Sequence, residues 1–402
     1  MGFFLLYILM HITLVKWLDL FKTNNITYKQ FIKKAKVKSS NNKINTLDDI
    51  IKKKNLNKTF LKKFYKLVVT DKNVYLTNIY NRSLQIKELK DMPLCINNNK
   101  FTEYKNQVRN LYYKDILLDT NTVQPNIRPY LEVIIELFKK HIIDYKLLTP
   151  SVIKLIEKGS LSNVLSGLYF RSSIMNPVVP YTLSTFFDKQ FNVLTPTLGW
   201  SSYLLGILNN THLDKYVGID VIPKVCNNTR KIANKNNIKN DIYCVPSEDL
   251  YKNKTFMNKY KKFFDMVFFS PPYYQLELYK GKNQSTERYK TYEEWLDKYW
   301  KITIKLCHET LKNNSLLIYI ISGYTDKSKY INLEKDMNNI TKSEGFKLCK
   351  KLNMKGSNVG FTEHRALKES IFIFSKGNIN KKEIDSYVRN IKKCKKLTLK
   401  MK

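Results

Sequence analysis

Cysteine and histidine are scarce in this chain: six and five in 402 residues. The cysteines (Cys95, Cys226, Cys244, Cys307, Cys349, Cys394) contain no C-x-x-C pair, and the histidines form no H-x-x-x-H pattern. That spacing argues against a zinc site and against a disulfide framework, so no metal is expected. It fits a reducing compartment, the cytoplasm or another intracellular one. Long hydrophobic runs are also missing. The strongest, residues 2–15, falls short of the roughly 20 residues that span a bilayer. It lacks the basic lead and small-residue cleavage site of a signal peptide. A buried N-terminal helix continuing through Trp17 to Phe21 is expected, with no stable membrane association.

Acidic residues are few, 34 against 70 lysines and arginines, for a net charge of +36. Such a surplus suits a polyanionic partner, DNA or RNA. Lysine, asparagine, isoleucine and tyrosine are all abundant, a composition that an AT-rich source, such as a large virus, also produces. A hydrophobic content of 43% is enough for a sizeable core.

Several segments read as buried strands or helices. Residues 263–269, Phe-Phe-Asp-Met-Val-Phe-Phe, form an apolar run of the kind covered on both faces of a sheet. Pro271 and Pro272 end it, because proline has no N–H for a ladder and fixes its own φ. The carbonyls beside them are left as fixed acceptors, with an aromatic ring, Tyr273, next in the chain. That arrangement suits a flat group bearing an –NH2. The amine donates to the Ser270 side chain and the Pro271 carbonyl, and Tyr273 stacks on the ring.

Here the sequence resembles the amino-group methyltransferases that use S-adenosylmethionine. Their signature is Asp/Asn/Ser-Pro-Pro-Tyr/Phe/Trp after the fourth strand of a Rossmann-like sheet, and Ser270, Pro271, Pro272 and Tyr273 match it. Residues 191–206 read as strand, tight loop and helix start, and look like the family's first motif, Asp-Pro-x-x-Gly-x-Gly, which curls under the methionine half of the cofactor. Pro196 and Gly199 match. Thr195 stands where an acid is usual, and Ser201 and Ser202 stand where glycine would allow positive φ and close approach. Thr197 and Trp200 lie in the same loop.

A short apolar strand ending at Asp220 follows, at the spacing of a nucleoside-binding βαβ unit. The resemblance makes Asp220 the acceptor of both ribose hydroxyls, with Val221 beside it. Residues 242–249 read as a third strand ending in Ser247, Glu248 and Asp249. In the family an acid here binds the adenine amine, and the sequence does not choose between Glu248 and Asp249.

Downstream, residues 315–322 read as a fifth buried strand. Residues 348–354 and 369–376 read as a closing pair. Thr291 and Glu294 form a capping box, opening a helix whose Trp295, Tyr299, Ile302 and Leu306 read as a core-facing stripe. The polar stretch 280–290 reads as a surface loop placed to close over a substrate, or as a plain one. The loop 355–368, with Asn358, Thr362, His364 and Arg365, is a second candidate for target contacts. Upstream, Leu131, Ile134, Ile135, Phe138 and Ile142 follow helical spacing. Thr149-Pro150 looks like an N-cap with proline at the first helical position.

The expected fold is α/β, a Rossmann-like class I methyltransferase with a seven-stranded mixed sheet flanked by helices. The expected division is 1–150, mainly helical and a place for target recognition; 151–377, the methyltransferase domain; and 378–402, a basic tail. The resemblance implies S-adenosylmethionine as cofactor and transfer of its methyl group to the exocyclic amine of adenine or cytosine in DNA. RNA or a protein amide as acceptor stays open, as does a non-catalytic nucleic-acid-binding protein on a degenerate scaffold.

Overall fold

The structure, a computed structural model, describes residues 13–81, 92–122, 127–326, 329–354 and 369–391. These divide into two compact units. Residues 13–81, 110–122 and 127–172 form one, and 92–109, 173–326, 329–354 and 369–391 the other. The division thus falls after Ser172 rather than at 150, and residues 92–109 belong with the sheet rather than with the helices that precede them in the chain.

The first unit is mainly helical. Residues 1–12 of the apolar N-terminal run lie outside the described residues. The run continues as the helix Leu14–Asp19, where Trp17 is fully buried and its indole N–H donates to the Leu76 carbonyl at 3.0 Å. Strands β1 (Lys36–Lys38) and β2 (Ile44–Thr46) make a hairpin, and β3 (Ile142–Asp144) pairs parallel with β1. The helix Tyr130–Lys140 buries Leu131, Ile134 and Phe138 as its spacing predicts, whereas Ile135 is half-buried and Ile142 falls in β3. Pro150–Glu157 begins with proline in its first turn. The Thr149 hydroxyl, however, donates back to the Lys146 carbonyl instead of capping that helix. Among the described residues no helix is long and apolar enough to cross a membrane.

The second unit is built on the seven-stranded mixed sheet. Its strands are β4 (Phe191–Thr195), β5 (Leu213–Asp220), β6 (Lys239–Cys244), β7 (Phe264–Phe269) and β8 (Leu311–Ile321). After the small hairpin of β9 (Tyr324–Asp326) and β10 (Lys329–Ile331) come β11 (Phe346–Asn353) and β12 (Ser370–Lys376). Their order is β11-β12-β8-β7-β4-β5-β6. β6, β5, β4, β7 and β8 run parallel, and β12 is antiparallel to both its neighbours. The expected Rossmann-like sheet is therefore the one observed. β7 and β8 lie in its interior, so their continuous apolar runs are covered on both faces. Strand order reverses between β4 and β7, and ligands of such sheets bind beyond the carboxyl ends at this switch point.

Two elements depart from the reading of the sequence. The third strand lies three residues earlier than expected, at Lys239–Cys244, and Ser247–Leu250 is a short helix. The helix after Thr291 contains a π turn, Leu296–Trp300, between Tyr292–Trp295 and Lys301–Thr310. A π turn inserts one residue and rotates the rest of the helix. The buried face accordingly passes to Thr303 and Ile304 rather than to Ile302.

The basic C-terminal segment supplies the helix Lys381–Ile391. It belongs to the sheet unit. The Tyr387 hydroxyl sits 2.7 Å and 2.8 Å from the Thr182 and Leu183 carbonyls. Cys95 is disulfide-bonded, contrary to the expectation drawn from the scattered cysteines. Cys226, Cys244, Cys307 and Cys349 are free.

Candidate active site

β7 stops at Phe269, and the next residue is held from several sides. The Ser270 N–H donates to the Tyr203 hydroxyl at 3.0 Å. The Ser270 carbonyl accepts from Thr197 Oγ1 at 3.1 Å and lies 3.4 Å from the Tyr203 hydroxyl. The Ser270 hydroxyl donates to the Ile320 carbonyl of β8 at 3.0 Å. It also lies 3.5 Å from the Tyr273 hydroxyl; the shorter bond takes its one proton, so Oγ offers its lone pairs as an acceptor. Among the described residues nothing donates to the Pro271 carbonyl. Two acceptors thus stand side by side at the strand end.

Tyr273 is fixed through its hydroxyl, which donates to a Glu369 carboxylate oxygen at 2.8 Å. Burial, and then the charge of Glu369, push its phenol well above the ordinary range, so it stays neutral.

The loop after β4 turns left-handed over three consecutive residues. Gly199, Trp200 and Ser201 have φ of 51°, 57° and 60°. Only glycine enters this region freely, and each other residue there costs about 1–3 kcal/mol unless its surroundings hold it. Glycine is also required at 199 sterically: an added Cβ would stand 2.1 Å from the Tyr203 ring. Ser201, where the resemblance would place glycine, is held by a 2.7 Å bond between its hydroxyl and that of Thr229. The Ser202 hydroxyl donates to the Gly199 carbonyl at 2.7 Å. Trp200 is held edge-on to Tyr279, with ring centroids 5.1 Å apart. Thr195, the departure from the usual acid, is fully buried. It shares a 2.7 Å hydrogen bond with the Tyr216 hydroxyl and does not line the cleft.

Asp220 ends β5. Its two oxygens accept from the N–H groups of Leu198 (3.1 Å) and Ile222 (3.0 Å). It therefore braces the loop and still has lone pairs toward the cleft, which Val221 also lines. Burial raises its pKa, and the backbone donors of Ile222, Leu198 and Val221 oppose that rise.

Of the two acids left open after the third strand, Glu248 lines the cleft and is buried. Asp249 is half-exposed and paired to Arg288 at 2.7 Å. Arg288 also reaches Glu248 at 2.9 Å, and the Tyr289 hydroxyl donates to Glu248 at 3.1 Å. The polar stretch 280–290 is thereby anchored beside Glu248. Burial raises the Glu248 pKa. Ser247 lines the cleft too, its hydroxyl 2.9 Å from that of Thr303.

One cleft of about 1150 Å³, its open mouth included, is lined by Pro196, Thr197, Gly199 and Trp200, by Asp220 and Glu248, and by Ser270 to Tyr273. The arrangement joins the strand-end acids to the proline loop. Thr195 and Asp249 are the two candidate residues it leaves out.

Further residues line the cleft. Asn98 arrives from the segment before the sheet. It is placed by Asn176, whose backbone N–H donates to the Asn98 side chain at 2.7 Å. Ser173 and Met175 precede the helix Val178–Ser184. Glu277 accepts from the Tyr279 hydroxyl. Tyr299, Gln284 and Glu369 line the cleft as well. The loop 355–368 lies outside the described residues. Among those described, no group of three metal-ligating side chains comes together.

No family model matches the chain, and no curated protein matches it. Among solved structures it is similar to the (4+2)-cyclase SpnF, at 11% identity and TM-score 0.37, over 51% of this chain and 83% of that one. It is similar to the 1,6-didemethyltoxoflavin-N1-methyltransferase of Burkholderia thailandensis at 10% identity and TM-score 0.32, over 50% and 76%. A protein of echinomycin biosynthesis, from the conversion of a disulfide bond into a thioacetal group, gives 11% identity and TM-score 0.35, over 60% and 99%. Scores and identities this low carry no functional weight.

Proposed function

We propose that this protein is a DNA methyltransferase that moves a methyl group from S-adenosylmethionine to the exocyclic amine of adenine or cytosine. One observation carries the reading. The Ser270–Tyr273 loop and the Gly199–Asp220–Glu248 surface line the same cleft, pinned together through Tyr203 and Thr197.

The donor set fits the cofactor. In a chain of net charge +36, this cleft carries Asp220, Glu248, Glu277 and Glu369. Acids here favour a ligand rich in hydroxyl and amine donors and bearing a cationic centre. Asp220 would take the ribose hydroxyls, Glu248 the adenine amine, and the left-handed loop at Gly199–Ser201 the methionine half. When bound, S-adenosylmethionine supplies an electrophilic methyl group on sulfur.

The acceptor side is built for a conjugated amine. Such a nitrogen is a poor nucleophile because its lone pair is delocalised into the ring. Ser270 Oγ and the Pro271 carbonyl accept its two N–H bonds, drawing it toward tetrahedral geometry and localising the lone pair. Tyr273 supplies a flat face for the base. Catalysis is then mostly positioning. In duplex DNA the base must leave the stack, at a cost of a few kcal/mol that stacking on Tyr273 partly offsets. The net charge favours a polyanionic acceptor over a protein amide. Residues 22–150 are the part of the chain to which we assign target reading.

Base-resolved sequencing of DNA from cells expressing the wild-type protein or Tyr273→Ala tests the proposal. Methylated adenine or cytosine in the first and not in the second supports it. Unmodified DNA in both contradicts it.

A further inference from the structure

The Tyr299 phenol is 4% exposed, and its hydroxyl is buried with no hydrogen-bond partner among the described residues. Native proteins rarely leave such a group unpaired, because the lost water is not replaced. Tyr299 also lines the cleft. It sits inside the π turn Leu296–Trp300, and π turns re-aim side chains at sites of function. A second orphan donor lies in the same wall: Gln284 Nε2 is buried and unpartnered. The two elements are tied together. Gln284 precedes the short helix Ser285–Arg288, and the Ser285 hydroxyl accepts from the Trp295 indole N–H at 3.0 Å, one turn before Tyr299. Glu248, a buried acceptor, lines the same cleft.

We propose that Tyr299 and Gln284 donate hydrogen bonds to the ring nitrogens of the bound nucleoside's purine, while Glu248 accepts from its 6-amine, so that the pocket selects adenine. The inference rests on the cofactor reading above and deepens it. Adenine presents bare ring nitrogens and an amine donor, the complement of two donors and a carboxylate. Hypoxanthine reverses its outer edge: a 6-oxo group would face the Glu248 carboxylate, and a protonated N1 would face a donor. Mismatches of this kind leave buried polar groups unpaired and are strongly discriminated. Among the described residues neither donor has another partner.

The test is calorimetry with S-adenosylhomocysteine and S-inosylhomocysteine on the full chain, with thermal melting alongside. The inference expects the wild-type protein to bind the adenosyl compound at least about tenfold more tightly than the inosyl one. Tyr299→Phe should weaken binding of S-adenosylhomocysteine by about threefold to tenfold without lowering the Tm of the free protein, because the deleted hydroxyl had no partner to lose. Gln284→Leu should weaken it in the same direction. A purely structural role for Tyr299 would instead lower Tm and leave affinity alone. Equal binding of the two compounds by the wild-type protein overturns the inference even if Tyr299→Phe fails to fold, and so does unchanged affinity in both variants. Failure of the wild-type protein to bind S-adenosylhomocysteine at all overturns the cofactor reading itself, a distinct result.

Discussion

The backbone of Ser270 brackets the hydroxyl of Tyr203: its N–H donates at 3.0 Å and its carbonyl lies 3.4 Å away. Tyr203 is on the helix that follows the β4 loop, so one phenol couples the proposed cofactor loop to the proposed catalytic loop. Burial pushes its pKa far above the ordinary range, which keeps it a donor at any physiological pH. Tyr203→Phe should cost about 1–3 kcal/mol in urea denaturation, because the Ser270 N–H is left without its partner. It should also lower methyl transfer, since Ser270 is no longer held.

Tyr273 has a separate role. Tyr273→Ala should reduce methyl transfer by far more than it weakens S-adenosylhomocysteine binding, because the proposed role sets the ring against the acceptor base rather than against the cofactor's nucleoside. Steady-state transfer rates set beside calorimetric affinities make the comparison. Equal activity in the variant would refute the role assigned to the ring.

Gly199→Ala tests the left-handed loop. The new Cβ would meet the Tyr203 ring at 2.1 Å, at a φ of 51°. Strain and overpacking together should cost about 2–4 kcal/mol. Binding of S-adenosylhomocysteine should fall with stability, as the ring moves away from Ser270.

Reading the sequence went furthest where burial is uniform. β7, β8 and β12 lie inside the sheet, so their apolar runs and the proline stop at 271–272 were legible. β6 is an edge strand with polar residues at Lys239, Asn240 and Asp241 and mixed burial. Its composition does not announce a strand, and the apolar residues just after its start drew the assignment toward 242–249. Periodicity reads Tyr299 as core, and its burial agrees; the same spacing gives no sign that it also lines the cleft, and the π turn that displaces Ile302 adds a residue that no spacing rule anticipates. Glu369 looked like the first residue of a strand, and only the fold brings it to Tyr273, 96 positions away in the chain. Asn98 is likewise delivered by Asn176, 78 positions on. Contacts at that separation leave no local signature in one sequence.

Glu369 gives a pH prediction. Burial raises its pKa, while the Tyr273 hydrogen bond and the charge of Lys105 oppose the rise. With the folded-state pKa raised, folded and unfolded chains both hold the proton at low pH. As pH climbs through the ordinary carboxyl range, the unfolded chain releases its proton first, and the folded state loses stability until its own pKa is passed. Glu369→Gln should therefore gain stability relative to wild type as pH rises through and above that range. Asp220 and Glu248 shift in the same direction, so the difference between variant and wild type isolates Glu369. Denaturation midpoints from pH 4 to 8 should diverge, and parallel profiles would contradict the assignment.

Affinity for DNA should depend steeply on salt. If the net charge of +36 meets phosphates, log affinity should fall linearly with log salt, by about 0.9 for each phosphate neutralised. Fluorescence anisotropy with a labelled duplex measures the slope, and a flat profile would remove the polyanion argument.

Transfer of tritium from methyl-labelled S-adenosylmethionine by the purified protein, offered DNA, RNA and protein side by side, tests the shared cleft most directly. The account predicts label in DNA, recovered as N6-methyladenine or N4-methylcytosine and abolished by Tyr273→Ala. Label in none of the three acceptors, from protein that folds and binds DNA, would contradict it.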